Sequence, residues 1–224
     1  MENANGENHG ALGDAHTHIG KAAAIAGRDP GEVTLVAVSK MRDPADIKPL
    51  LEQGQRVFGE NRVQEAAAKW PELKAAYPGV ELHLIGQLQS NKADEAAALF
   101  DYIHSVDRLS LIKALGKAFG KAGRSLPCFL QVNIGEEDQK GGCAIDDITA
   151  LLEAATQHGV NIIGLMCLPP ADVQPAPYFA LLRELAQRAG LSQLSMGMSA
   201  DYQSAVQLGA THIRIGTALF GPRD

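Results

Sequence analysis

The 224-residue chain has nothing approaching the run of about 18 apolar residues that crosses a bilayer. Its first stretch, "MENANGENHGALGD", is polar where a secretory leader would be apolar. Neither a membrane-embedded nor an exported protein is expected. Basic residues are in deficit, with 20 Lys and Arg against 26 Asp and Glu for a formal charge of -6, and they form no cluster. That argues against nucleic acid or an anionic membrane as a partner. Cysteine is scarce: Cys128, Cys143 and Cys167 are odd in number, far apart and never in a CxxC pair. This excludes a disulfide framework and points to a reducing cytoplasm. Metal motifs are missing too. Only His16 and His18 lie close together, and no HExxH or Cys/His cluster occurs, so the histidines read as surface or packing residues rather than ligands.

What is present is ordinary globular composition, 46% hydrophobic and 21% charged, arranged in a rhythm. An Ala-rich stretch over about residues 11–27 reads as a helix, after a flexible N-terminus over 1–10. Short apolar runs follow at 33–38, 56–58, 81–85, 101–104, 127–132, 160–165, 193–196 and 212–215. Helical stretches such as "PADIKPLLEQG" and "IDDITALLEAATQHG" separate them. Continuous apolar strands alternating with helices imply parallel pairing. Eight such units in one domain, spanning 11–224, predict a single α/β fold, a closed (β/α)8 TIM-type barrel with an extra N-terminal helix. An open doubly wound sheet would want a glycine-rich phosphate loop after the first strand, and "SKMRDP" has no glycine.

A barrel gathers its chemistry at the C-terminal ends of its strands. The residues just past the apolar runs include Lys40, Glu60, Asn61, Gly86, Asn133, Ser195 and Arg214. Lys40 would then stand at the mouth of a pocket with its stem against apolar wall. Burial favours the neutral amine, the form that Schiff-base chemistry with an aldehyde requires. Further on, "SMGMSADYQSAVQLGA" predicts a strand, a glycine turn and Ser199 as the N-cap of a helix over about 200–208. "HIRIGTALFG" predicts the last strand, a Gly216-Thr217 turn and another helical start. Two such helix starts side by side make an anion cup. Arg214 adds a cation able to pair with a phosphate, a carboxylate or a ring nitrogen. A lysine, a phosphate cup and an arginine together suggest pyridoxal 5′-phosphate.

The segments "VAVSK", "FGENRVQE", "HLIGQLQSNK", "GLM" and "LSMGMSADYQSAVQLGATHIRIGTALFG" resemble, in order from about residue 33 onward, the pyridoxal phosphate homeostasis protein family. The resemblance implies a barrel like the N-terminal domain of alanine racemase, with pyridoxal 5′-phosphate held as an internal aldimine on Lys40. It implies phosphate contacts from Ser199 and from the backbone at Gly216 and Thr217, with the Met198 amide as a further donor. Arg214 would lie beside the pyridine nitrogen and Asn61 near the ring. Departures fall at Leu82, where an aromatic is frequent, at Tyr202, where an aliphatic is common, and in short loops around 121–126 and 167–178. His83, inside an apolar run, reads as core packing, and the Gln89–Lys92 motif has no assigned role.

Three jobs stay open at this point. The first is a carrier that binds the cofactor for intracellular homeostasis, works as a monomer and passes cofactor transiently to apoenzymes. The second is a racemase-like enzyme acting on amino acids. The third is a sugar-phosphate barrel enzyme using Lys40 on another carbonyl. A racemase of the alanine type needs a second, β-rich domain supplying an acid/base tyrosine; the sequence after Gly216, "TALFGPRD", offers none, so the carrier is expected.

Overall fold

A computed structural model describes residues 10–137 and 139–221. The flexibility expected of the N-terminus concerns residues that lie, apart from Gly10, outside this range. In chain order the elements are α1 (Ala11–Ile25), β1 (Thr34–Val38), α2 (Pro44–Glu52), β2 (Val57–Glu60), α3 (Val63–Ala76) and β3 (Glu81–Leu84). Next come α4 (Ala93–Leu99), β4 (Tyr102–Val106), α5 (Leu109–Ala122), β5 (Pro127–Val132), α6 (Ile148–Gln157) and β6 (Asn161–Cys167). The chain closes with α7 (Ala176–Arg188), β7 (Gln193–Met198), α8 (Tyr202–Gln207), β8 (His212–Ile215) and α9 (Thr217–Phe220).

Every expected apolar run became a strand because each is buried on both faces, against the helices outside and the barrel interior within. All pairs are parallel and run in sequence order, and β8 returns to β1 through Thr34↔His212 and Val36↔Arg214, so the barrel is closed. The helices pay out amphipathic faces onto it; α5 lays down Leu111, Ile112, Leu115, Ala118 and Phe119, then stops at Gly123 in the left-handed region. No helix among the described residues is long and apolar enough to cross a membrane, and the described residues hold no cluster of three or more metal-ligating side chains. The three cysteines are buried and free.

The extra helix α1 packs on α8 and α9, beside the last two strands. His18 Nδ1 lies 3.0 Å from the Tyr202 hydroxyl, and Arg28 donates to the carbonyls of Val206 and Ala210 at 2.8 and 3.0 Å. Helix α1 and the segment after it thereby brace α8 and the chain leading into β8.

One correction concerns the start of α8. Ser199 is not an N-cap. The chain makes a tight turn over Met198–Asp201, closed by Asp201 N–H to Met198 O at 3.0 Å and by Met198 N–H to Asp201 Oδ1 at 2.5 Å. Asp201 becomes the residue before α8, and the helix spans only Tyr202–Gln207. The carboxylate of Asp201, being the stronger acceptor, takes the turn's amide, and the Ser199 hydroxyl is left to reach across to β8.

Candidate functional site

Lys40 lies two residues past the end of β1, in a turn over residues 39–42 closed by Arg42 N–H to Ser39 O at 3.2 Å. Met41 takes a φ of 58°, which a side chain other than glycine adopts at a cost. α3 holds this turn in place. Lys69, nearly buried, donates to Ser39 O at 2.8 Å and Arg42 O at 3.1 Å, one carbonyl on either side of Lys40. Glu65 accepts the Met41 N–H at 2.5 Å and pairs with Lys69 at 2.9 Å. Burial pushes the Glu65 carboxyl up, but the hydrogen bonds from Lys69 and Met41 outweigh it and hold it below its usual range. Beneath them Glu60 Oε1 receives Ser39 Oγ at 2.6 Å, Lys69 Nζ at 2.9 Å and Trp70 Nε1 at 3.0 Å. The backbone that presents Lys40 is thus set by groups other than Lys40 itself.

Lys40 opens onto a cleft of about 370 Å³ at the C-terminal mouth of the barrel. Its lining includes Asn61, Ile85, Leu168, Met198, Ser199, Arg214, Gly216 and Thr217, so all seven expected site residues meet in one place. Asn61 stands just past β2. A Cβ on Gly86 would fall 2.4 Å from its carbonyl oxygen, so only glycine lets the chain leaving β3 pass so close.

At the β7–β8 end the Ser199 hydroxyl accepts weakly from two amides, Gly216 N–H at 3.3 Å and Ala218 N–H at 3.4 Å. Those N–H groups converge on one point at the cleft wall, the arrangement that receives a phosphate oxygen. Met198 lines the cleft, but its amide is engaged by Asp201, so it is not a free donor to the cup. Arg214, inside the apolar run at 212–215, sits within β8 and is 4% exposed. It donates to Ser195 Oγ at 2.5 Å and to Cys167 O at 2.9 Å. Burial draws its pKa down to about 10, which leaves it protonated at neutral pH. A primary amine, converging amides and a fixed guanidinium around one cleft form a donor set that fits pyridoxal 5′-phosphate: aldehyde, phosphate and pyridine each meet a matching group.

Comparison with known proteins agrees. The family described as "Alanine racemase, N-terminal domain" matches residues 18–224. The pyridoxal phosphate homeostasis protein of Pseudomonas aeruginosa is 45% identical over 212 residues, covering 92% of this chain and 91% of that protein. The chain belongs to the pyridoxal phosphate homeostasis protein family. Its Escherichia coli relative is 36% identical over 223 residues, covering 95% of both. Among solved structures, PipY of Synechococcus elongatus with PLP bound is 42% identical with a TM-score of 0.79, covering 91% of this chain and all of that one. Alanine racemase of Clostridium difficile, at 14% identity and a TM-score of 0.69, covers 94% of this chain but 57% of its own, and shares the fold.

Sequence reasoning did not find the support beneath Lys40. Glu65 and Lys69 stand four apart on α3, a signal for an ion pair but not for a platform under a turn thirty positions back.

The cup gives a clean test. A Cβ on Gly216 would meet nothing closer than Val38 at 3.5 Å, so Gly216→Asp leaves the fold room while placing a carboxylate beside the phosphate position. Affinity for pyridoxal 5′-phosphate is expected to fall at least about tenfold, with that for unphosphorylated pyridoxal nearly unchanged. Ser199→Ala is milder, about 1 kcal/mol, because one hydroxyl is lost and the amides stay. Paired titrations with the two ligands check this; equal losses for both would mean the phosphate lies elsewhere.

Proposed function

We propose that this protein binds pyridoxal 5′-phosphate in the cleft through a Schiff base on Lys40 and serves intracellular homeostasis of the cofactor rather than turnover of amino acids. The observation that carries the reading is the convergence of Lys40, the Gly216 and Ala218 amides and the protonated Arg214 on one cleft. Relatives named pyridoxal phosphate homeostasis proteins, and a related structure with PLP bound, support it. When bound, the cofactor supplies an aldehyde that condenses reversibly with an amine, releasing water.

Each residue has a separate task. Lys40 offers the amine, Ser199 and the β8–α9 backbone hold the phosphate, and Asn61, Ile85, Leu168 and Met198 form the walls about the ring. Thr217, at the start of α9, borders the phosphate. Arg214 keeps its protons and can only donate, so it would hold a ring nitrogen placed beside it as an unprotonated acceptor and would not help the ring draw electrons. Racemisation would need a positioned acid or base on each side of the substrate carbon. Lys40 can serve one side. On the other, the cleft lining named above supplies no carboxylate, histidine or tyrosine, and Tyr202 is buried with its hydroxyl against His18. Delivery to apoenzymes by a monomer completes the reading.

Borohydride reduction of the loaded protein followed by peptide mapping is expected to place the pyridoxyl group on Lys40. Label on Lys48 or Lys92 would displace the assignment. With saturating cofactor, deuterium wash-in at the α-carbon of alanine is expected to stay at background; robust exchange that vanishes in Lys40→Ala would favour the racemase-like reading.

A further inference from the structure

The barrel interior carries a polar column that none of the tasks above uses. Ser195 Oγ, which receives Arg214 Nη1 at 2.5 Å, lies 2.8 Å from His104 Nδ1. His104 Nε2 lies 3.0 Å from His83 Nδ1. His83 Nε2 faces the Glu81 carboxylate at 3.8 Å, near the opposite end of the barrel. These groups come from β8, β7, β4 and β3. Since β4 and β7 are not neighbours in the sheet, the contact between them crosses the interior. Ser195, His104 and His83 are at most 1% exposed.

The direction of every hydrogen bond follows from the arginine. Arg214 can only donate, so Ser195 Oγ accepts from it. Among the described residues the Ser195 hydroxyl proton has one acceptor within reach, His104 Nδ1, and leaving it unspent in the core would be costly. His104 therefore carries its proton on Nε2 and donates to His83 Nδ1. His83 in turn carries its proton on Nε2, toward Glu81. Both rings must be neutral, because a second proton on His104 would set two donors against each other. Burial lowers the pKa of both histidines, which agrees.

Each link thus turns its negative end toward Arg214. The guanidinium is almost wholly buried, and no ion pair between it and a carboxylate is found among the described residues. Asp201 acts on it only from beyond ion-pair distance, and a buried charge without a direct partner needs oriented dipoles. We infer that Ser195, His104 and His83 are positioning residues: a one-way hydrogen-bonded column that holds Arg214 charged and aimed at the cofactor's ring nitrogen. This rests on the proposed cofactor reading for its consequence, though not for the column itself.

Two measurements test it. In protein without cofactor, ¹⁵N NMR of labelled histidines is expected to show His104 and His83 neutral at pH 7 with the proton on Nε2. Either ring charged, or protonated on Nδ1, overturns the column. The second measurement compares affinity for pyridoxal 5′-phosphate with that for its 1-deaza analogue, which has C–H in place of the ring nitrogen. Wild type should favour the natural cofactor by about tenfold, and Ser195→Ala should shrink that preference to about twofold. Loosened packing alone would weaken both ligands alike and leave the ratio intact, and an intact ratio in Ser195→Ala refutes the positioning role. His104→Gln, which can still accept the Ser195 proton, should keep most of the preference, whereas His104→Leu should lose it; equal behaviour of the two also refutes it. If wild type binds neither ligand, the cofactor reading fails and the tautomers still decide the column.

Discussion

Lys40→Ala is expected to abolish the absorbance of lysine-bound pyridoxal phosphate and to weaken retention of the cofactor about a hundredfold or more, without unfolding the protein. The fold survives because the turn that carries Lys40 is fastened through backbone: Lys69 to the Ser39 and Arg42 carbonyls, Glu65 to the Met41 amide. None of those bonds involves the Lys40 amine. What remains for the ligand is the set of hydrogen bonds at the phosphate and ring nitrogen, each worth about 1 kcal/mol or somewhat more where charge is involved. Residual binding should therefore prefer the phosphorylated ligand. Spectra and equilibrium dialysis on the variant check both parts. Persistence of the lysine-bound band would mean that another amine forms the Schiff base.

The second large effect is loss of stability in mild acid. His83, His104 and His212 are buried, and burial is the first cause that holds their pKa values down, that of His212 to about 3; neighbouring histidines and Arg214 add to it for His104 and His212, while for His83 the Glu81 carboxylate opposes the shift. In the unfolded chain each would titrate near 6.5. A base whose pKa is lowered by folding binds more protons unfolded than folded. Its contribution is complete above about pH 6.5 and is lost as pH falls below that value. Between about pH 6.5 and 5.5 His212, still neutral when folded, removes roughly 1 kcal/mol, and His104 and His83 add losses of the same sign. The carboxylates held below their usual range, Glu65 and Glu81, act only below about pH 4.5 and do not confuse this window. Urea unfolding at a series of pH values measures it. A stability unchanged from pH 7.5 to 5.5 would show that the three rings are not buried neutral.

These two cases mark where the sequence speaks and where it is silent. Lys40 was visible because a charged residue directly after an apolar run is a local anomaly, and the barrel was visible because strands buried on both faces lack the alternation of half-exposed ones. The histidines were not. His83, His104 and His212 each sit in a different strand, and each alone reads as packing; their meeting depends on barrel closure, which joins residues more than a hundred positions apart. Ser199 lines the cleft, but not as the helix N-cap the sequence suggests. "MSAD" offers Ser199 and Asp201 as rival turn-closers, and only the three-dimensional turn shows that the aspartate closes it and the serine crosses to Gly216. Arg214 stands out in the sequence as a cation in an apolar run, but its burial and its hold on Ser195 and Cys167 depend on which way each β8 side chain faces.

Trp70, the chain's single tryptophan, is fully buried and bonded to the same Glu60 oxygen that anchors Ser39, one residue from Lys40. Its emission overlaps the near-ultraviolet and violet absorbance of lysine-bound pyridoxal phosphate. Under the proposed cofactor reading the molecule therefore contains its own optical gauge: quenching of one indole would report occupancy of the cleft in real time, in unlabelled protein.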